Sequence, residues 1–205
     1  MMRVFGDCTS LSNLDISRFN TENVTTMEQM FYNCRSLADL NVSSFNTSEV
    51  QTMYGMFSNC SSLTELDVTG FDVSNVFSFE EMFYNCTNLE RLDVSGFKLY
   101  PYANYDFERM FYGCSKIESL DLRYFNTLNS ISNESMFENM TSLKSIMLPE
   151  TFVFAGTDAN KKPAYLIVAH GSTASTPRWK RVYDLTTMQE VNDNTSYSGV
   201  ELTAA

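Results

Sequence analysis

Six phenylalanines, Phe5, Phe31, Phe57, Phe83, Phe111 and Phe137, each stand three residues before Cys8, Cys34, Cys60, Cys86, Cys114 and Met140, at intervals of 26, 26, 26, 28 and 26. A fixed period of this length restricts a chain to stacked repeats, because one unit is too short to bury its own apolar side and must be covered by its neighbours. The pattern runs through residues 1–150 and stops in 151–205. What such an array does is decided by the side chains it leaves on its surface.

Within the second unit, Val24, Met27, Met30, Phe31 and Cys34 recur at spacings of three and four. That spacing predicts a short amphipathic helix. Thr25 with Glu28, and Ser78 with Glu81, fit a capping box at its start. Asp7, Asn33, Asn59, Asn85, Gly113 and Asn139 immediately precede the Cys column, and these residue types tolerate the left-handed conformation that closes a helix. Beyond the helix the apolar spacing drops to two, in Leu40 and Val42, Leu66 and Val68, Leu92 and Val94, and Leu120 and Leu122, as in a half-buried strand. Phe19, Phe45, Phe71, Phe97 and Phe125 follow and are expected to form a column of rings inside the turn.

The expected fold is an α/β solenoid of five to six units over residues 1–150, with short parallel strands on one side and short helices on the other. Residues 151–205 read as short β segments at 151–154, 165–169 and 178–185, separated by Gly, Pro, Asn and Ser. They are expected to form a small β cap over the last apolar rung.

All of the formal charge of −11 falls on the repeats, where 20 acidic residues face 9 basic ones, while 151–205 balance. An array this acidic repels phosphate, which argues against nucleic acid and against an anionic membrane surface. No apolar run reaches the roughly 18 residues of a membrane-spanning helix. Met1 aligns with Met27, so the sequence starts in mid-repeat and upstream residues are expected. An open first rung also invites end-on pairing with another copy.

The Cys column has none of the close spacing of zinc or redox motifs and reads as small buried hydrophobes. Asp15, Asn41, Asp67, Asp93 and Asp121 share one outward strand position, where carboxylates about 5 Å apart repel. Hydrogen bonds to Ser17, Ser43, Thr69 and Ser95 two positions on relieve this, with calcium at Asp67, Asp93 and Asp121 as the rival reading. The fourth unit is two residues longer and adds a tyrosine-rich stretch over 98–105. Insertions in such arrays map to loops on one face, and Tyr and Arg dominate interface hot spots. Tyr100, Tyr102, Tyr105, Arg123 and Tyr124 are therefore the candidate patch, joined by the outward strand residues Asp39, Glu65 and Arg91.

The pattern Leu37-x-x-Leu40-x-Val42-x-x-Phe45 resembles leucine-rich repeats, with Phe where most such repeats place Asn. More narrowly, the units "LDVTGFDVSNVFSFEEMFYNCTNL" and "LNVSSFNTSEVQTMYGMFSNCSSL" resemble the BspA-like repeats of bacterial surface proteins. That resemblance implies an extracellular or cell-surface protein used for adhesion or for binding host matrix or bacterial surface proteins, and it implies no catalysis. No cofactor is expected. A spacer role, in which the repeats only hold another domain away from the wall, is the first rival. A hydrolase built on His170 and Ser172 is the second, although no strand-turn-helix Gly-x-Ser-x-Gly elbow surrounds them.

Overall fold

A computed structural model describes residues 1–100, 103–125 and 130–148, together with the backbone of three short strands nearer the C-terminus. The strands are β1 (Glu65–Asp67), β2 (Arg91–Asp93), β3 (Ser119–Asp121), β4 (Ser145–Leu148), β5 (Tyr183–Asp184), β6 (Gln189–Glu190) and β7 (Val200–Thr203). In β1, Leu66 points into the core while Glu65 and Asp67 point out, as the period of two requires.

Parallel pairing follows the repeat. Glu65 lies opposite Arg91, Leu66 opposite Leu92 and Asp67 opposite Asp93, while Ser119, Leu120 and Asp121 face Ser145, Ile146 and Met147. Between β2 and β3, across the longer fourth unit, the strands are not joined into one sheet. The other edge stays continuous there. Parallel bridges run from Thr26 to Thr52, Ser78, Asp106 and Ser132, so the two extra residues are absorbed on one side of the unit only.

The expected helices are absent among the described residues, and the hydrogen bonds show why. Met27, Gln29, Phe31 and Asn33 donate their amides to Thr52, Tyr54, Met56 and Ser58 of the next unit, whereas Met30, Tyr32 and Cys34 donate three residues back to Met27, Gln29 and Phe31. An α-helix would take all of these donors for its own carbonyls four residues back. Helices of two turns are marginal alone because nucleation is costly. A stacked neighbour offering carbonyls at the repeat interval satisfies the same donors without it.

Two left-handed residues per unit make this zigzag. The predicted column Asp7, Asn33, Asn59, Asn85, Gly113 and Asn139 has φ of 63°, 62°, 60°, 55°, 72° and 62°. Four residues earlier, Arg3, Gln29, Gly55, Glu81, Arg109 and Ser135 repeat the turn at 51–55°. Left-handed backbone costs roughly 1–2 kcal/mol per non-glycine residue, and each inter-unit hydrogen bond returns about 0.5–1.5 kcal/mol. The capping boxes are corrected as well. Ser78 Oγ accepts from the Glu80 amide and Thr26 Oγ1 from the Glu28 amide, two residues on, so the bridge column itself supplies the turn-forming side chains.

Inside, Met27, Phe31, Cys34 and Leu37, with their counterparts in later units, are fully buried. The continuous ring column is Phe5, Phe31, Phe57, Phe83, Phe111 and Phe137, with centroids 5.5, 5.6, 5.8, 5.7 and 6.1 Å apart. In the expected column, Phe45, Phe71, Phe97 and Phe125 are buried. There the direct ring stack joins Phe97 to Phe125, at 6.2 Å. At the far end β7 pairs antiparallel with β4, setting Leu202 opposite Ile146. The expected β segments of 151–185 lie outside the described residues, apart from the backbone of Tyr183–Asp184, which pairs antiparallel with Gln189–Glu190.

Candidate functional site

The strand face is built from residues that flank each inward Leu or Ile. Its Asp column is closed by local turns. Asp15, Asn41, Asp67, Asp93 and Asp121 accept from the amides of Ser17, Ser43, Thr69, Ser95 and Arg123 at 2.8–3.1 Å. The Thr69 hydroxyl adds a bond to Asp67 at 2.6 Å and holds that carboxyl below the ordinary carboxylate range. Ser17 does the same for Asp15, and the Arg123 guanidinium, 2.7 Å from Asp121 Oδ2, does so for Asp121. The calcium candidates Asp67, Asp93 and Asp121 thus spend carboxylate oxygens on their own turns. Among the described residues no group of three or more His, Cys, Asp or Glu is placed to hold a metal ion.

Ion pairs tie this face across units. Glu65 and Arg91, opposite each other in β1 and β2, are 2.5 Å apart with side chains 60% and 80% exposed. Lys116 pairs with Glu90 and Lys144 with Glu118, again 26 residues away. Asp39 is exposed. Opposite charges facing each other across the ladder favour the native register, although exposed pairs contribute little stability each.

The tyrosine insertion divides. Tyr100 is 60% exposed and Tyr124 52%, with Arg123 beside Tyr124 engaged by Asp121. Tyr105 is 1% exposed and leaves the surface patch. Its ring packs against Phe79 and Phe107 at 6.2 and 5.6 Å, and its hydroxyl accepts from the Tyr100 amide at 2.8 Å. Tyr102 lies outside the described residues, as do His170 and Ser172. Phe77 and Ile131 are among the exposed apolar residues that the sequence did not signal. They sit at one corner, where the Asp106 amide donates to Phe77 and the Ile131 amide to Tyr105.

The Cys column is buried from its second member on, with Cys8 of the first unit exposed. Cys34, Cys60, Cys86 and Cys114 are buried free thiols, each donating to the carbonyl of Phe5, Phe31, Phe57 or Phe83 at 3.1 Å. Burial pushes Cys34 up to about 11 and Cys114 up to about 12, and raises Cys60 and Cys86 well above the ordinary thiol value. A protonated thiol is a poor nucleophile and metal ligand.

In-register parallel strands, bridges at the repeat interval and inward columns of like residues define a tandem-repeat, strand-rich protein. Comparison with family descriptions makes this specific: residues 1–105 and 102–149 match the family described as Mycoplasma protein of unknown function, DUF285, and the chain belongs to that bacterial family. Neither curated proteins nor solved structures return a match.

Proposed function

We propose that the chain is a BspA-like, leucine-rich-repeat solenoid that serves as a non-enzymatic protein-binding or adhesion module at a bacterial cell surface. The observation that carries this reading is the strand face. A backbone fixed by inter-unit hydrogen bonds presents Asp39, Glu65 and Arg91 outward at one repeated position, flanked by exposed Tyr100 and Tyr124. A rigid platform with varied outward residues loses little conformational freedom on binding. Host matrix proteins and other bacterial surface proteins are the partners this reading names.

The test is a panel of matrix and bacterial surface proteins presented to the 205-residue chain and to a Tyr100→Ala/Arg91→Ala/Tyr124→Ala variant. A partner bound by the parent at least about tenfold more tightly than by the variant supports the platform, since removing hot-spot residues costs over about 1 kcal/mol each. Equal binding refutes it. The spacer reading has its own observation, the mutual neutralisation of Glu65 with Arg91 and of Glu118 with Lys144. It predicts no binding to any member of the panel.

A further inference from the structure

The turns that follow Phe19, Phe45 and Phe71 close in one way. Asn20, Asn46 and Asp72 accept through Oδ1 from the amides of Glu22, Ser48 and Ser74 at 2.9–3.0 Å. Short side chains of this kind reach the amide two residues on and so fix the turn locally. The buried Val24, Val50 and Val76 then donate their amides to the carbonyls of Thr21, Thr47 and Val73 at 3.0–3.1 Å, anchoring each turn in the core.

The fourth unit lacks both devices. At the place of Asn20, Asn46 and Asp72 stands Lys98, whose ammonium donates and cannot accept. Counted back from the bridge residues Thr26, Thr52, Ser78 and Asp106, the place of the three valines falls to Asn104, which is exposed.

Tyr105 supplies what is missing. At its own place in the earlier units Thr25, Gln51 and Phe77 are exposed, whereas the Tyr105 ring is buried against Phe79 and Phe107. Its hydroxyl accepts at 2.8 Å from the amide of Tyr100, the counterpart of the Glu22, Ser48 and Ser74 amides. Its carbonyl accepts from the Ile131 amide of the next unit at 2.6 Å, so both the ring and the backbone of Tyr105 are held. Tyr100 itself is 60% exposed. An exposed ring is thus displayed from a fixed point in the core rather than from a self-contained surface turn.

We propose that Tyr105 is a positioning residue for the binding face: its phenol takes over the acceptor role lost at Lys98 and fixes the backbone that presents Tyr100 to a partner. This role rests on that face being a binding platform. Ordering a displayed side chain beforehand spares the cost of ordering it on binding.

The test is amide hydrogen exchange of the 205-residue chain, read at Tyr100 with the Ser74 amide as internal standard. Tyr105→Phe keeps a ring against Phe79 and Phe107 and removes the acceptor, so exchange at Tyr100 should rise about three- to tenfold while Ser74 is unmoved. Adding Lys98→Asn returns the local acceptor of the earlier units and should bring Tyr100 back to within about twofold of the parent. Unchanged exchange in Tyr105→Phe, or no recovery with Lys98→Asn, overturns the replacement.

Binding is then read on those members of the matrix and surface protein panel that the parent captures. Tyr105→Phe should weaken it about two- to tenfold, Lys98→Asn should restore it, and in a Tyr100→Ala background Tyr105→Phe should change nothing further. No loss, or a loss that persists in the Tyr100→Ala background, overturns the positioning role. A panel that binds nothing refutes the platform and the positioning role with it, and exchange at Tyr100 still decides whether the phenol holds the turn.

Discussion

The thiol of Cys86 donates to the carbonyl oxygen of Phe57, 29 residues earlier, at 3.1 Å. The same bond joins Cys60 to Phe31 and Cys114 to Phe83, so the sulfur column stitches each unit to the one before it. These thiols stay protonated because burial opposes the charged form. Of the five cysteines, the exposed Cys8 alone is expected to react with a thiol reagent in the native chain, and all five in denaturant. Fast labelling of Cys60 or Cys86 without unfolding would contradict this.

The same thiols set an alkaline limit. A group with a raised folded pKa adds stability that is complete below its unfolded value and fades as pH rises toward the folded one. With Cys34 at about 11 and Cys114 at about 12 against an ordinary 9.0, the thermal midpoint falls as pH climbs from 9 toward 12. The fall is shallower in Cys114→Ala, which removes one of the titrating groups.

Gly113 has two reasons to be glycine. Its φ is 72°, and a Cβ there would lie 2.2 Å from Asn85 Oδ1. Gly113→Ala is expected to cost about 2–3 kcal/mol in urea unfolding, combining left-handed strain with the clash. Made in an Asn85→Gly background, where position 85 keeps its left-handed backbone without strain and loses the Oδ1, the same substitution should cost only the strain at 113. The converse holds at Gln29, where φ is 52°. Gln29→Gly is expected to stabilise by about 0.5–1 kcal/mol, the left-handed penalty less the entropy of glycine.

How far the sequence could be read is visible in these two left-handed columns. Asn33 and its counterparts were legible because Asp, Asn and Gly are the residues that tolerate that backbone. Gln29, Glu81, Arg109 and Ser135 carry no such signature, and only Gly55 in that column hints at it. Apolar spacing of three and four therefore reads as a helix, whereas a chain reversing every few residues also brings Met27, Met30, Phe31 and Cys34 inward. The buried columns, the strands at Glu65–Asp67, Arg91–Asp93 and Ser119–Asp121 and the local closure of the Asp column followed from the repeat, whereas the strand expected at Leu40 and Val42 did not form. Tyr105 did not follow from the repeat. Its insertion had the composition of a surface loop, and nothing in the residue type shows that a two-residue lengthening would turn the ring inward against Phe79 and Phe107.

Asp67 and Asp121 are held below the ordinary 3.8 by hydrogen bonds from Thr69 and Arg123. Their contribution to stability is present above that value and is lost as pH falls below it. Carboxyl titration by NMR should place both below 3.8, and Thr69→Ala should move Asp67 upward while leaving Asp121 in place. Because the same oxygens are occupied, excess calcium and chelator should give the same thermal midpoint. A calcium-dependent rise would restore the cation reading of this column.

In the ring column, Phe57 is fully buried between Phe31 and Phe83, whereas Phe5 at the first unit is only partly covered. Phe57→Ala should therefore cost about 3–5 kcal/mol, and Phe5→Ala clearly less, as read from chemical unfolding midpoints. Equal costs would mean that the rings do not form one stack.

The alternation of hydrogen bonds between and within units is directly measurable as scalar couplings across the bonds in a labelled sample. Stacked turns place the Phe57 amide on the Met82 carbonyl and the Asn59 amide on the Tyr84 carbonyl, with the intervening Ser58 amide on Gly55. Couplings from Phe57 nitrogen to Met82 carbon and from Asn59 nitrogen to Tyr84 carbon are the expected result. A coupling from Phe57 nitrogen to the Met53 carbonyl carbon, four residues back, would mean an α-helix and would contradict the stack.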